Sequence, residues 1–314
     1  MILPTLRQLQ FLVALGETGS FSRAAEACHV TQPTLSAGIK ELEDLFGVPL
    51  AERESRGASL THAGEIAVAR ASALLADAHA LVQSVTCAGA LFSGPFKLGA
   101  IPTIAPFVLP QIVGLLTRRY PDLKLYLTED RTQRLMDQLR ARTLDAAFIA
   151  LPWEAPGIEV MTLFDDEFLL AAPANHPLAR KNGLSPEDLD NEDVLLLEDG
   201  HCLRDHAVSI CKLKPGAGRE QVAATSLGTL VNMVAGGLGV SLIPRLAADN
   251  GLALGPDVAI RPFVTPIVGR QVGIAWKAGS PREAEARRIG EIVRSALDGN
   301  LLPGAYADDA TGRT

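Results

Sequence analysis

The sequence predicts an α/β protein overall: an all-α N-terminal part, one long connecting helix, and a C-terminal domain of alternating strands and helices. Three observations predict it. Residues 6–15, 21–30 and 31–46 form short helical periodicities separated by breaks, which is the pattern of a small helical unit. The alanine-rich stretch from Thr61 to Thr86 has no helix breaker over roughly 25 residues. From Gly94 onward apolar strand-like runs alternate with helical patterns, an order that argues for mostly parallel sheets. At roughly 150 residues per domain, 314 residues make about two domains.

Composition narrows the class. The chain is 47% hydrophobic and 21% charged, which fits packed globular domains and excludes a disordered chain. Mean hydropathy is +0.18. With 36 acidic against 29 basic residues the net charge is −7, so bulk attraction to nucleic acid or to an anionic membrane is excluded. Any nucleic-acid binding must be local and geometric. No apolar run reaches the roughly 18 residues of a spanning helix, and Arg7 with two glutamines interrupts the N-terminal apolar stretch. A cytoplasmic protein without a membrane partner is expected. Four cysteines are too few for a disulfide framework; a pair that matters would be catalytic, metal-binding or redox-sensing.

Taken in order, Leu6, Leu9, Phe11, Leu12, Val13 and Leu15 recur at helical spacing before a break at Gly16 to Gly19. A second helix follows over Phe21 to Val30, with Ser22 placed to cap it and Ala24-Ala25 small enough for close helix approach. Thr31 is a good N-cap, Pro33 costs little in a first turn, and Leu35, Ile39, Leu42 and Leu45 make one apolar face. The result is a helix, a tight turn and a second helix. Gly47 ends that helix, and Glu52 to Leu60, with Arg53, Arg56 and Gly57, suits a two-stranded wing. The next helix, to Thr86, would be about 38 Å long, more than a small domain needs, so it is expected to pack against a second copy. In the C-terminal domain strands are expected at 96–101, 123–128, 145–151, 168–172, 194–197, 239–243 and 271–276. Helices are expected at 107–119, 133–144, 227–235 and 281–297. Gly304 to Thr314 is small and polar and should fray.

The segments Phe21-Ser-Arg-Ala-Ala-Glu, Val30-Thr-Gln-Pro-Thr-Leu-Ser, Ile39-Lys-Glu-Leu-Glu, Phe46-Gly-Val-Pro-Leu and Leu60-Thr-His-Ala-Gly occur in this order and at this spacing. In them the chain resembles the LysR-type transcriptional regulators. The resemblance implies a winged helix-turn-helix DNA-binding domain at 1–61 and a linker and dimerisation helix at 62–93. It implies a two-lobed, periplasmic-binding-protein-like regulatory domain at 94–303 and a flexible tail at 304–314. Lobe I would cover about 94–165 and 268–303, lobe II about 166–267. Double-stranded promoter DNA, RNA polymerase and a homodimer or homotetramer are the implied partners.

In such a motif the second helix enters the major groove with its N-terminus first, which places Gln32, Pro33, Thr34 and Ser36 at base edges. Lys40, Arg53 and Arg56 are placed for phosphates, which position without reading sequence. Residues 1–90 nevertheless carry only six basic against nine acidic side chains. Few phosphate contacts per subunit are available, so affinity is expected to come from several copies binding together. Ala51 stands where wings of this family usually carry a large apolar residue, so looser wing packing is expected.

The stretch Glu198-Asp-Gly-His-Cys-Leu-Arg-Asp205, with a second cysteine at Cys211, is the most informative. Together with Ile101-Pro-Thr103, Thr132-Gln133, Ala224-Thr-Ser-Leu227 and Asn232-Met-Val234, it is similar to the hydrogen peroxide-sensing members of that family. The resemblance implies that Cys202 reacts with hydrogen peroxide, that Cys211 resolves the product as a disulfide, and that oxidative-stress genes are the output. It implies peroxide-facing roles for Thr103, Thr132, His201 and Arg270, and neither a cofactor nor a metal.

The residues carry chemistry of their own. Asp199-Gly200 reads as a turn and N-cap, so Cys202 falls in the first turn of a helix, where the helix dipole, His201 and Arg204 would favour the thiolate. A thiolate attacks peroxide to give a sulfenic acid, which a second thiol traps. On one continuous helix Cys202 and Cys211 would have α-carbons about 13 Å apart, beyond the roughly 7 Å a disulfide tolerates, so bonding requires local unfolding. Pro215 and the glycines at 216 and 218 would ease it, and His206 adds a titratable group one turn from Cys202.

Rival readings stand beside this one. His201, Cys202, His206 and Cys211 are metal-ligand types, though without any C-x-x-C spacing. Buried inert thiols are the bland alternative, and the one assigned to Cys28 and Cys87. Thr103 and Thr132 are equally readable as helix caps, as is the Thr225-Ser226 pair. The whole chain could instead be a regulator answering a small-molecule ligand in the inter-lobe cleft, or a thiol peroxidase. No G-x-S-x-G, H-E-x-x-H or P-loop motif is present.

Overall fold

The computed structural model describes residues 3–54, 57–86, 91–210, 223–265 and 267–298. The chain divides into two compact units, Met1–Ala88 with Arg140–Thr143, and Gly89–Leu139 with Leu144–Thr314.

The first unit holds α1 (Leu6–Thr18), α2 (Phe21–Ala27), α3 (Gln32–Phe46), a hairpin of β1 (Ala51–Glu54) and β2 (Gly57–Leu60), and α4 (His62–Thr86). Leu9, Leu12 and Leu15 of α1, Ala24 and Ala25 of α2, and Leu35, Ile39 and Leu42 of α3 form its core, closed by Leu50. α1 continues through Gly16, where a break was expected, and stops at Gly19, which has φ +60°. A Cβ at Gly16 would come within 3.1 Å of Leu60 and 3.2 Å of Val68, so the missing side chain serves packing and not a helix break. The N-cap position of α2 belongs to Ser20, not Ser22, which lies one residue inside the helix. Thr31 caps α3 as expected, its hydroxyl accepting from the Thr34 amide. At the other end Glu43 accepts from the amides of Leu50 (2.8 Å) and Ala51 (3.2 Å), tying α3 to the β1–β2 hairpin.

The second unit contains β3 (Gly94–Ala100), α5 (Ala105–Arg119), β4 (Leu123–Glu129), α6 (Thr132–Arg140), β5 (Ala146–Leu151), β6 (Ile158–Pro173) and α7 (Pro177–Arg180). A 3₁₀ turn, β7 (Val194–Leu197), α8 (Cys202–Ile210), β8 (Ala223–Ala224), α9 (Leu227–Ala235) and β9 (Val240–Pro244) follow. α10 (Arg245–Asp249), β10 (Val258–Arg261), β11 (Ile267–Lys277) and α11 (Glu283–Asp298) complete it. The strands run in the order β4-β3-β5-β11-β6-β9-β7-β8, with β10 also on β6.

The sheet is mixed, which corrects the expectation of mostly parallel pairing. β3 is parallel to β4 and β5, and β7 to β8 and β9, but β11 is antiparallel to β5 and β6, and β6 to β9 and β10. The long strands β6 and β11 join a half built on β3–β5 to a half built on β7–β9. Their full lengths, 16 and 11 residues, exceed the short runs legible in sequence. The acidic run Asp165-Asp166-Glu167 interrupts the apolar pattern of β6, and only the part after it reads as a strand. α6 ends at Arg140, four residues earlier than expected, because the chain turns at Arg142 with φ +54°. Among the described residues no helix is long and apolar enough to cross a membrane.

Candidate functional site

The parallel strands β3 and β4 direct their carboxyl ends to one edge, and strand ends of this kind are where α/β sheets place small-molecule sites. Thr103 lies three residues beyond β3, and Thr132 is the first residue of α6 beyond β4. Both are buried, at 3% and 4% exposure, far below what a threonine that merely caps a surface helix would show. Opposite them β7 ends at Leu197, Gly200 turns with φ +87°, and Cys202 opens α8. The positive φ of Gly200 favours glycine, and a Cβ there would sit 3.1 Å from the Arg131 guanidinium, a contact that flexible side chain can relieve.

Arg270 of β11 organises the site. Its Nη1 donates to Thr103 Oγ1 at 2.6 Å and its Nη2 to the Thr103 carbonyl at 3.1 Å. Its Nε donates to Asp166 Oδ2 at 2.9 Å, directly across the β6–β11 register. Because Arg270 occupies a lone pair of the Thr103 hydroxyl, that hydroxyl keeps its proton free to donate. The Thr132 hydroxyl hydrogen-bonds the Cys202 sulfur.

Burial pushes the Cys202 thiol up, while the Arg270 charge and the Thr132 hydrogen bond pull it back down. This corrects the expected source of activation. His201 is buried and held below its ordinary range, first by desolvation and then by Arg131, so it contributes no positive charge. Arg204 is engaged by Asp199 at 2.9 Å and by the Leu197 carbonyl. His206 is likewise held down, by burial and by Arg270.

Of the residues named from sequence, the structure thus brings together Thr103, Thr132, Cys202 and Arg270, with His201 against Arg131 and Glu198. Cys211 lies outside the described residues, as do Cys87 and the segment 212–219. Among the described residues no cluster of three or more His, Cys, Asp or Glu side chains suited to a metal is found. Sequence reasoning missed Asp166, which is buried to 2% and orients Arg270 while accepting the Leu246 amide at 2.9 Å. Its signal was an acid inside a strand. It also missed the Arg131–Glu198 pair at 3.4 Å, which links the start of α6 to the end of β7.

In the N-terminal unit Gln32, Pro33, Thr34 and Lys40 are exposed on α3 and Ser36 is half-buried. The Thr34 hydroxyl lies 2.8 Å from that of Thr31, so the helix cap also orients a side chain of the exposed first turn. Arg53 pairs with Ala58 in the wing, and Arg56 lies outside the described residues. Cys28 is half-buried against the helical core, and Ser226 caps α9 through the Thr229 amide.

Comparison with known proteins agrees with this layout. Residues 6–65 match the bacterial regulatory helix-turn-helix protein model of the lysR family, and residues 89–298 match the LysR substrate binding domain. The DNA-binding transcriptional dual regulator OxyR of Escherichia coli K12 is 40% identical over 297 residues, 94% of this chain and 97% of that one. The hydrogen peroxide-inducible genes activator of Haemophilus influenzae is 37% identical over 94% of the chain and 99% of that protein. Among solved structures, a full-length OxyR variant from Pseudomonas aeruginosa has a TM-score of 0.76 at 37% identity, covering 94% of this chain and 96% of that one. A hydrogen peroxide-bound OxyR mutant from Corynebacterium glutamicum has a TM-score of 0.65 at 33% identity, over 96% and 94% of the two chains. The helix-turn-helix, the long helix and the mixed α/β domain are therefore those of a bacterial transcriptional regulator, and the chain belongs to the LysR family.

Proposed function

We propose that the protein is a DNA-binding transcriptional regulator of the OxyR kind, which senses hydrogen peroxide through Cys202 and controls oxidative-stress genes. The observation that carries this is the half-buried Cys202 thiol at a helix N-terminus, hydrogen-bonded by Thr132 and under the charge of an Arg270 that is itself locked onto Thr103. Donors grouped around one thiol suit a compact oxidant. The Thr103 and Thr132 hydroxyls hold peroxide and stabilise the departing oxygen, Arg270 supports the developing negative charge, and His201 completes the wall.

The sulfenic acid on Cys202 condenses with Cys211, releasing water and forming a disulfide. The helix between them makes this bond a switch. α8 runs from Cys202 to Ile210, about 12 Å along its axis. One further residue reaches only about 3.8 Å, so the two α-carbons stay beyond the roughly 7 Å limit while α8 keeps its full length. Oxidation therefore selects a state in which α8 has unwound. In this reading residues 1–61 dock on promoter DNA through Gln32, Pro33, Thr34 and Ser36, with Lys40, Arg53 and Arg56 on phosphates. Residues 62–93 dimerise, and residues 94–303 sense, as lobes 94–165 with 268–303 and 166–267. A homotetramer in the cytoplasm presents the rearrangement to RNA polymerase. One oxidation per event suffices, so the protein acts as a sensor and not as a turnover enzyme.

The test is mass spectrometry of the alkylated, non-reduced protein after one equivalent of hydrogen peroxide. A peptide linking Cys202 to Cys211 is expected, and it should be absent in Cys202→Ser. If both thiols stay alkylatable under excess peroxide the reading fails, and a ligand-responsive LysR regulator takes its place.

A further inference from the structure

One half-buried group beside the site has no task in the chemistry above. His206 lies four residues after Cys202 on α8, so the two side chains share a face one turn apart. α8 packs against β11, and the charge of Arg270 on that strand acts on both Cys202 and His206. The His206 Nδ1 is buried and makes no hydrogen bond among the described residues. A buried polar atom without a partner is costly, and such groups mark sites that act only when a further group arrives.

The groups facing the ring are few. Arg270 faces it from β11 and Asp205 adjoins it on α8, while β7, also packed on α8, carries only valine and leucine. Burial and Arg270 favour the neutral imidazole, and burial favours the protonated thiol. A thiol one helical turn from a partnerless ring nitrogen supplies, in the tautomer that leaves Nδ1 unprotonated, the donor and acceptor types that base-activated cysteine chemistry uses.

We propose that His206 carries the proton of the Cys202 oxidation, taking it from the thiol as sulfur attacks hydrogen peroxide and giving it to the oxygen that leaves. The S–O bond forms as the O–O bond breaks. Two electrons pass from sulfur to peroxide, the near oxygen stays on sulfur as sulfenic acid, and the far oxygen leaves as hydroxide. The thiol proton, relayed by His206, turns that hydroxide into water, so no other reactant is needed. The inference rests on Cys202 being the peroxide-reacting thiol.

It is tested in the full-length protein with His206→Gln and, as a second variant in case the first does not fold, His206→Asn. The rate constant for Cys202 oxidation by hydrogen peroxide is measured from pH 5.5 to 9, by trapping the sulfenic acid with dimedone. A base of this kind contributes about 100-fold or more, so a loss of that order is expected at pH 7. The acid limb, where the unmodified protein slows as His206 takes up a proton, should vanish from the variant's profile. An unchanged rate, or a loss equal at every pH, overturns the proposal and leaves His206 a packing residue. An unmodified protein whose Cys202 does not react at all overturns the peroxide reading itself, which is a separate result.

Discussion

Asp166 Oδ2 lies 2.9 Å from both Nε and Nη2 of Arg270, and the two side chains are almost wholly withdrawn from solvent. They sit opposite one another on the antiparallel strands that join the two halves of the regulatory domain. Removing one member of such a pair strands the other in a low-dielectric interior, at a cost of about 3–5 kcal/mol. Asp166→Ala should therefore lower the unfolding free energy by about that amount in denaturant titration. A loss below about 1 kcal/mol would mean that water enters to rescue Arg270.

The same guanidinium predicts an effect on chemistry. Lysine in place of Arg270 keeps a charge but loses the fork that holds Asp166 and Thr103 together. Arg270→Lys should slow peroxide oxidation of Cys202 by about tenfold or more, since a single hydrogen bond to a charged group is worth about 1.5–3 kcal/mol. Rate constants for sulfenic acid formation with hydrogen peroxide, under matched conditions, decide it, and equal rates would remove Arg270 from the peroxide chemistry.

Thr132 offers a cleaner test, because its hydroxyl hydrogen-bonds the sulfur directly. Thr132→Val keeps the shape and deletes the donor, so it should raise the thiol further and reduce iodoacetamide reactivity at pH 7 by about tenfold. Thr132→Ser should restore most of it. If valine and serine behave alike, the buried threonine is packing and not chemistry.

How far the sequence reached follows from which physics is local. Helix caps and breaks depend on a few neighbouring residues, so Thr31, Gly47, Ser226 and the position of Cys202 at the head of a helix were readable directly. The long strands were not, because Asp166 reads as a break in an apolar run until Arg270, 104 residues away, appears opposite it. The source of thiol activation was misplaced for the same reason. His201 and Arg204 are close in sequence, yet burial keeps one neutral and Asp199 engages the other. Thr103, Thr132 and Arg270 came from family resemblance, and the hydrogen bonds now supply a physical reason for grouping them.

Two histidines, buried His201 and half-buried His206, make stability depend on pH. Desolvation holds both His201 and His206 below the ordinary value of 6.5, so between the folded and unfolded values the unfolded chain binds more protons. Their contribution is present above pH 6.5 and is lost as pH falls through the folded values. Asp145 and Glu285 act in the opposite sense, since burial raises both and their stabilisation is lost as pH rises. The histidine part is isolated by comparing the unmodified protein with His206→Gln in unfolding titrations at pH 7.5 and 5.5. The variant should lose less stability on acidification, and parallel losses would show that His206 is solvated.

The DNA-binding unit should show a shallow salt dependence. Residues 1–90 contain six basic side chains, and two of them are turned onto their own backbone, Arg7 to the Cys28 carbonyl and Arg23 to that of Thr18. Lys40 and Arg70 are exposed, and with Arg53 and Arg56 counted as well at most four basic side chains are left for phosphates. Each neutralised phosphate contributes about −0.9 to the slope of log K against log salt, so the slope should be no steeper than about −4 per subunit. Affinity must then come from subunits binding adjacent half-sites together, where linkage can raise it by about 10²–10⁴ without a new contact. Fluorescence anisotropy on one and on two half-sites, from 50 to about 300 mM salt, measures both quantities. A slope near −9 per subunit, or equal affinity for one half-site and two, would show that backbone amides or other groups carry the phosphate contacts instead.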